Sequence, residues 1–241
     1  MFRHPHHIFN KIFRSIPISH QFLPYIPRKT AATLSMSFAV KPFDDIKVIP
    51  VPCLTDNYSY ILQDVSTGKA AVVDPVEPAK LKAALETAHI PLANVDMILT
   101  THKHWDHASG NKGMLELAPH ARIYMGPEEG TFEFPKTVVN DGEELALGNL
   151  SIRVLHTPCH TSGHVCYLVK KGEEQLLFSG DTLFVGGCGR FFEGSAENMF
   201  PNMQKVRFIA SMSLRSLSFI ALLLSLPYVH YQWYSRAFSP L

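Results

Sequence analysis

Three imidazoles and a carboxylate crowd into six consecutive positions, at His102, His104, Asp106 and His107, directly after the apolar run 96–100. Neutral imidazole and carboxylate are the donors that first-row divalent metals prefer, zinc among them. A loop that leaves a buried strand can splay such side chains inward. His102 and His104, two apart, can then converge on one ion, and Asp106 and His107 are aimed at a second position close by. A polar surface loop rarely concentrates ligand-type residues in this way, so the segment predicts a metal centre at a strand end.

Two single residues stand in comparable places. His160 lies in TPCHTSGH (157–164) after an apolar run, and Asp181 follows LLFSG in FSGDTLF (178–184). Taken alone, a histidine or aspartate after a strand is more often a turn or capping residue than a ligand. His164 reads as a structural histidine, packed inside and hydrogen-bonded. Alternating or continuous β-branched and aromatic runs predict strands over 46–51, 58–63, 69–74, 96–100, 122–125, 152–157, 164–170 and 175–180. Pro78 opens a helical stretch to about His89, with Leu81, Ala84, Leu85 and Ala88 on one face, and a second helix is expected over 109–118. Short strands interleaved with a few helices predict sheets covered by helices, an α/β layered fold. No repeat and no glycine-rich phosphate loop occurs.

The 241 residues carry a formal charge of +1, which conceals three regions. Residues 1–43 hold six Lys/Arg and no acid; residues 44–197 hold all 21 acids against 12 bases; residues 198–241 hold four bases and no acid. The acidic body argues against nucleic acid as a partner. The acid-free, Arg- and Ser-bearing first region predicts a mitochondrial transit segment and a matrix location, with a cytoplasmic form if translation starts at Met36. Four cysteines without a C-x-x-C pair are no disulfide framework, which favours a reducing compartment. Residues 208–226 are mostly apolar around Arg215 and approach the length of a bilayer span. A packed helix, a membrane anchor and a replaced terminus are the three readings of that stretch.

The strings T-H-x-H-x-D-H, T-P-x-H-T-x-G-H and S-G-D-T-L-F, in this order, resemble the metallo-β-lactamase superfamily. Together with LTDNYSYIL (54–62), AAVVDP (70–75) and FSGDTLFVGGCGRFFEG (178–194), they are similar to its glyoxalase II, or hydroxyacylglutathione hydrolase, group. The resemblance covers roughly residues 46–207 and implies an αββα sandwich domain over 44–207. It also implies a two-metal thioesterase that cleaves S-D-lactoylglutathione to glutathione and D-lactate in methylglyoxal detoxification. His102, His104 and His160 would hold one ion, Asp106 and His107 the other, and Asp181 would bridge. Asp106 would act in catalysis with a hydroxide shared by the ions. Asp74 would support the ligand loop from behind, Asp56 and Asn57 would shape the adjoining turn, and Arg190 and Phe192 would face the substrate. Zinc is the expected metal, with iron or manganese as alternatives, and a monomer is expected.

Departures from that pattern set further expectations. The group's second metal takes another histidine from a later C-G-H-E-Y-like string, which this sequence lacks. Its helical glutathione-binding domain has no counterpart here, since 208–241 is an atypical hydrophobic tail. Arg190 stands where the group commonly has Lys, and Phe192 where it commonly has Tyr. The fold is therefore expected to be incomplete at its C-terminal end. Weak or absent thioesterase activity is expected, with the first metal site retained. Mononuclear iron persulfide dioxygenases share the histidine and aspartate core, so that reading stays open. So does a non-catalytic, membrane-associated form held through 208–226.

Overall fold

The computed structural model describes residues 44–184, 186–212 and 217–219. The predicted transit segment, the Met36 start and most of the 208–226 stretch lie outside the described residues.

Hydrogen bonding joins the strands into two sheets. One runs β1 (Ile46–Cys53), β2 (Asn57–Asp64), β3 (Ala70–Val73), β4 (Val95–Leu99), β5 (Arg122–Met125) and β6 (Thr137–Val138), in that spatial order. β1, β2 and β3 pair antiparallel, whereas β3 to β6 pair parallel. The parallel pairs need crossovers. These are supplied by α1 (Pro78–Thr87), then by the short α2 (Trp105–Ala108) with α3 (Asn111–Leu117). The second sheet takes β7 (Glu144–Leu147), β8 (Leu150–His156), β9 (Val165–Lys171) and β10 (Glu174–Phe178) as an antiparallel meander. β11 (Leu217–Phe219) adds to it parallel to β10, and α4 (Ala196–Met212) completes the layers.

Neighbouring residues on the strands point to opposite faces, and the burial follows. Leu62, Val73 and Leu99 meet Ile152, Val154, Tyr167 and Phe178 between the sheets. Ile61, Val72, Ile98 and Ile123 pack on the other side against Leu81 and Leu85 of α1 and Met114 of α3. Val206 of α4 covers Leu155, Leu168 and Leu177 on the outer face of the second sheet. Each fully buried Leu or Ile contributes about 2 kcal/mol. The arrangement is the expected helix–sheet–sheet–helix sandwich.

Differences from the sequence reading are local. The helix expected over 109–118 begins four residues earlier as α2 and breaks at Ser109–Gly110 before α3. There the ligand loop itself turns helical, with His107 and Ala108 N–H bonding back to His104 O. β6, β7 and α4 were not anticipated. Nor does 208–226 run as one helix: α4 ends at Met212 and Leu217–Phe219 form a strand. Among the described residues no helix is long and apolar enough to cross a membrane.

Asp64, fully buried, ties the sheets together. It accepts the N–H of Asn149 (2.7 Å), the hydroxyls of Thr67 (2.6 Å) and Ser66 (2.7 Å), and the Lys171 ammonium (2.9 Å). Burial pushes its carboxyl up, but those donors win and hold it well below the usual carboxylate range. A depressed folded-state pKa stabilises above the unfolded value near 4, and that stabilisation fades as pH falls below it. Asp64→Asn should therefore cost about 2–3 kcal/mol at neutral pH. The gap to wild type should narrow in urea melts at about pH 3; an equal gap at both pH values would contradict this.

Candidate metal centre

The site gathers at the end of the sandwich where β3, β4, β8 and β10 stop. Asp74 follows β3, and Thr101 to His104 follow β4. His160 follows β8, and Asp181 follows β10 in a short 3-10 turn. His102 Nε2 faces His104 Nδ1 at 3.0 Å, and His104 Nδ1 faces His160 Nε2 at 2.9 Å. Asp181 spans the site, with one carboxylate oxygen 3.2 Å from His160 Nε2 and the other 3.2 Å from His107 Nε2. Asp106 Oδ2 lies 3.7 Å from His107 Nε2. The structure thus brings all six sequence-predicted ligand residues together. His102, His104 and His160 form one group, and His107 and Asp181 form a second that also takes in His102.

The far side of each ring decides which nitrogen carries hydrogen. Thr101 donates its hydroxyl to Asp74 Oδ2 (2.8 Å), so its oxygen is left to accept from His102 Nδ1 (3.1 Å). His160 Nδ1 donates to the Arg190 carbonyl (2.7 Å). His107 Nδ1 donates to Asp74 Oδ2 (2.9 Å). Neutral rings held in this way turn the bare lone pairs of His102, His160 and His107 inward. His104 Nδ1 has at most one hydrogen to offer its two neighbours. At least one of the two close nitrogen–nitrogen contacts therefore lacks a hydrogen of its own, and His107 Nε2 points its lone pair at carboxylates. Such a donor set repels itself unless a cation sits among it, and it fits a divalent metal.

The electrostatics agree. Burial, then the neighbouring histidines, lowers His102 far below its ordinary value, and burial with His160 lowers His104. Burial also lowers His107, but Asp74 and Asp181 overcome it and raise the ring well above its ordinary value. Asp181 is pushed up by burial yet falls to about 2 through His107, then His160 and His164. Positive charge is favoured between His107 and Asp181.

Around this centre stand the remaining predicted residues. Asp74, at φ 47°, also accepts the Thr101 N–H (2.7 Å). Asn57 donates from Nδ2 to the Asp106 carbonyl (2.8 Å) and to its Oδ2 (3.2 Å). No side-chain contact ties Asp56 to the site among the bonds described. The Phe192 ring lies 5.4 Å from that of His104 and 5.2 Å from that of His160, with the Arg190 guanidinium 5.2 Å above it. Phe192 and Trp105 are exposed at 57% and 68%, which leaves apolar surface at the mouth. His164 is fully buried and accepts the Asp181 N–H at Nε2 (3.1 Å), and burial drops its pKa to about 3. It is the structural histidine expected from the sequence.

A match to the family model described as the metallo-beta-lactamase superfamily spans residues 54–223. The chain belongs to the metallo-beta-lactamase superfamily. Within it the chain is 48% identical over 161 residues to a cytoplasmic hydroxyacylglutathione hydrolase of Arabidopsis thaliana, covering 66% of this chain and 61% of that protein. It is 44% identical over 164 residues to a hydroxyacylglutathione hydrolase-like protein of Gallus gallus, covering 67% of this chain and 56% of that one. The chain thus spans little more than half the length of these relatives. A metallo-beta-lactamase from Staphylococcus aureus shares its fold with a TM-score of 0.60 at 24% identity, over 69% of this chain and 53% of that one.

Two residues that matter here were not anticipated from the sequence. Glu129, 1% exposed, accepts the Thr161 hydroxyl (2.6 Å) and the Lys103 N–H. Its Pro-Glu-Glu-Gly setting reads as a solvated turn and carries no signal of burial. Gly180, at φ 47°, brings the backbone so close that a Cβ would lie 2.7 Å from Thr101 Oγ1 and 2.8 Å from His164 Nε2. Gly180→Ala should cost on the order of 3 kcal/mol, from backbone strain plus overlap. Gly172, also left-handed (φ 56°) but with open space around it, should cost only about 1 kcal/mol as Gly172→Ala. Equal losses in urea denaturation would mean the site does not press on Gly180.

Proposed function

We propose that this chain is a metal-dependent thioesterase acting on S-2-hydroxyacylglutathione, with S-D-lactoylglutathione giving glutathione and D-lactate. The observation that carries the metal reading is the convergence of imidazole lone pairs whose hydrogens are committed elsewhere. The hydroxyacylglutathione hydrolase names of the two relatives support the substrate. Zinc suits the nitrogen and oxygen donors of His102, His104, His160 and Asp181, with Asp106, His107 and Asp181 for a second ion.

A divalent ion held there would supply Lewis acidity toward the thioester carbonyl and acidify water. The protein's own groups do the rest. Asn57 steadies Asp106 by donating to its backbone carbonyl and to one carboxylate oxygen, while the Asp106 side chain stays a third exposed. Asp106 can therefore take a proton from water entering the site. Asp181, with one oxygen turned toward each histidine group, would serve as an anionic donor to a cation held there. The exposed Phe192 ring walls the mouth beside His104 and His160, and Arg190, stacked over that ring, offers positive charge to the glutathione carboxylates. A thiolate leaves from the tetrahedral carbon more readily than an alkoxide, so no further acid is required.

The purified chain loaded with zinc should hydrolyse S-D-lactoylglutathione slowly, and a chelator should abolish the reaction. His160→Ala and Asp181→Ala should each lower kcat/KM by about 100-fold or more. Bound zinc without chelator-sensitive hydrolysis would overturn the substrate assignment.

A further inference from the structure

The three-histidine group draws on two loops far apart in the chain, one carrying His102 and His104 and the other His160. One backbone bond ties this region together, from Val165 N–H at the start of β9 to Thr101 O (2.9 Å), and beyond it the loops meet through two carboxylates. Glu129, from the turn after β5, takes the Lys103 N–H on Oε2 and the Thr161 hydroxyl on Oε1 (2.6 Å). Lys103 lies between His102 and His104, and Thr161 follows His160, so each contact is one residue from a ligand. Glu193 repeats the link nearer solvent, pairing with Lys103 Nζ (2.6 Å) and accepting the Ser162 N–H (2.7 Å). The two braces differ in burial: Glu129 is 1% exposed, whereas the Glu193 side chain is 32% exposed. Gly163 is what lets Glu129 in, since a Cβ there would come within 2.7 Å of the Glu129 Cγ.

We propose that Glu129 is a positioning residue for the three-histidine site: by holding Lys103 and Thr161 on its two oxygens, it sets the distance between His104 and His160 and so the affinity for a divalent cation. The inference rests on the metal reading above and not on the identity of the thioester. Surface ion pairs such as Lys103–Glu193 contribute little by themselves. A buried carboxylate with both oxygens committed has no comparable freedom to relax.

The test uses the full chain and Zn2+ alone, with affinity read by competition against a chromophoric chelator. The visible ligand-field spectrum of the Co2+ form and thermal unfolding of the metal-free protein are read alongside. Glu129→Ala should weaken Zn2+ binding by about 10–100-fold and change the Co2+ spectrum. Glu129→Gln should stay within about threefold of wild type, because its carbonyl can accept from Lys103 while its amide donates to the Thr161 oxygen. Wild-type affinity in Glu129→Ala would overturn the proposal, as would an equal loss in Glu129→Gln. If Glu129→Ala does not fold, Thr161→Val removes one of the two contacts and should weaken Zn2+ binding by about 3–10-fold; unchanged affinity there overturns it too. A wild-type chain that takes up no Zn2+ would instead sink the metal reading, and this inference with it.

Discussion

Asp74 leaves β3 in the left-handed region and turns its carboxylate back under the ligand loop, where it meets Thr101 and His107. The orientation of the site follows from this one placement. Because Oδ2 takes the Thr101 hydroxyl hydrogen, the Thr101 oxygen can only accept, and His102 must donate from Nδ1. Because the same carboxylate takes His107 Nδ1–H, that ring too shows its other nitrogen to the cavity. A carboxylate only 4% exposed is costly to desolvate, and three donors offset that cost. Ser59 steadies the turn by donating its hydroxyl to the Asp74 carbonyl (2.6 Å). Removing this carboxylate would free two rings at once to rotate or change tautomer, although it touches neither inward-facing nitrogen.

The sandwich makes such long-range agreement possible. β3 and β4 run parallel in one sheet; β8 and β10 run the same way in the other because β9 is antiparallel to both. Four strand ends therefore open on one side of the molecule, and each delivers a polar residue just past its last apolar one. The apolar cluster between the sheets fixes their separation through side chains such as Tyr167 and Phe178, both essentially inaccessible to solvent. Tyr167 also donates its hydroxyl toward the carbonyls of Thr100 (2.9 Å) and Tyr124 (3.0 Å), where β4 gives way to the ligand loop. Core and site thus share a residue, so loosening the sheet packing would spread directly to His102.

What could be read from the sequence follows a physical pattern. Strands such as RIYM (122–125) and the runs around 46–51 and 58–63 are legible because short alternating or continuous runs of β-branched and aromatic residues mark buried extended chain. Histidines and aspartates just past them are legible because few other roles demand that residue type in that place. β7 escapes notice because ELAL is only half buried and carries a solvent-facing acid. α4 escapes because Pro201 lies inside it, where a proline ordinarily argues against a helix. Glu129 is the instructive case: a glutamate in a turn looks solvated, and only the approach of a distant loop through Gly163 buries it. Local pattern reports which face a residue presents to its own strand; it carries no information about what a remote loop will bring.

The opposed pKa shifts within the cluster explain why a proton is a poor substitute for a metal here. His102 and His104 are driven down and His107 up, although His102 and His107 have ring centres only 4.3 Å apart. A proton on His107 satisfies Asp181 and relieves one lone pair, but it repels any second proton on the adjoining rings. The contacts among His102, His104 and His160 then stay uncompensated. A divalent cation differs because it accepts several lone pairs at once while still answering the Asp181 carboxylate. The binding preference therefore comes from the number of donors turned inward, and that number is set by hydrogen bonds on the outer side of each ring, at Asp74, Thr101 and the Arg190 carbonyl.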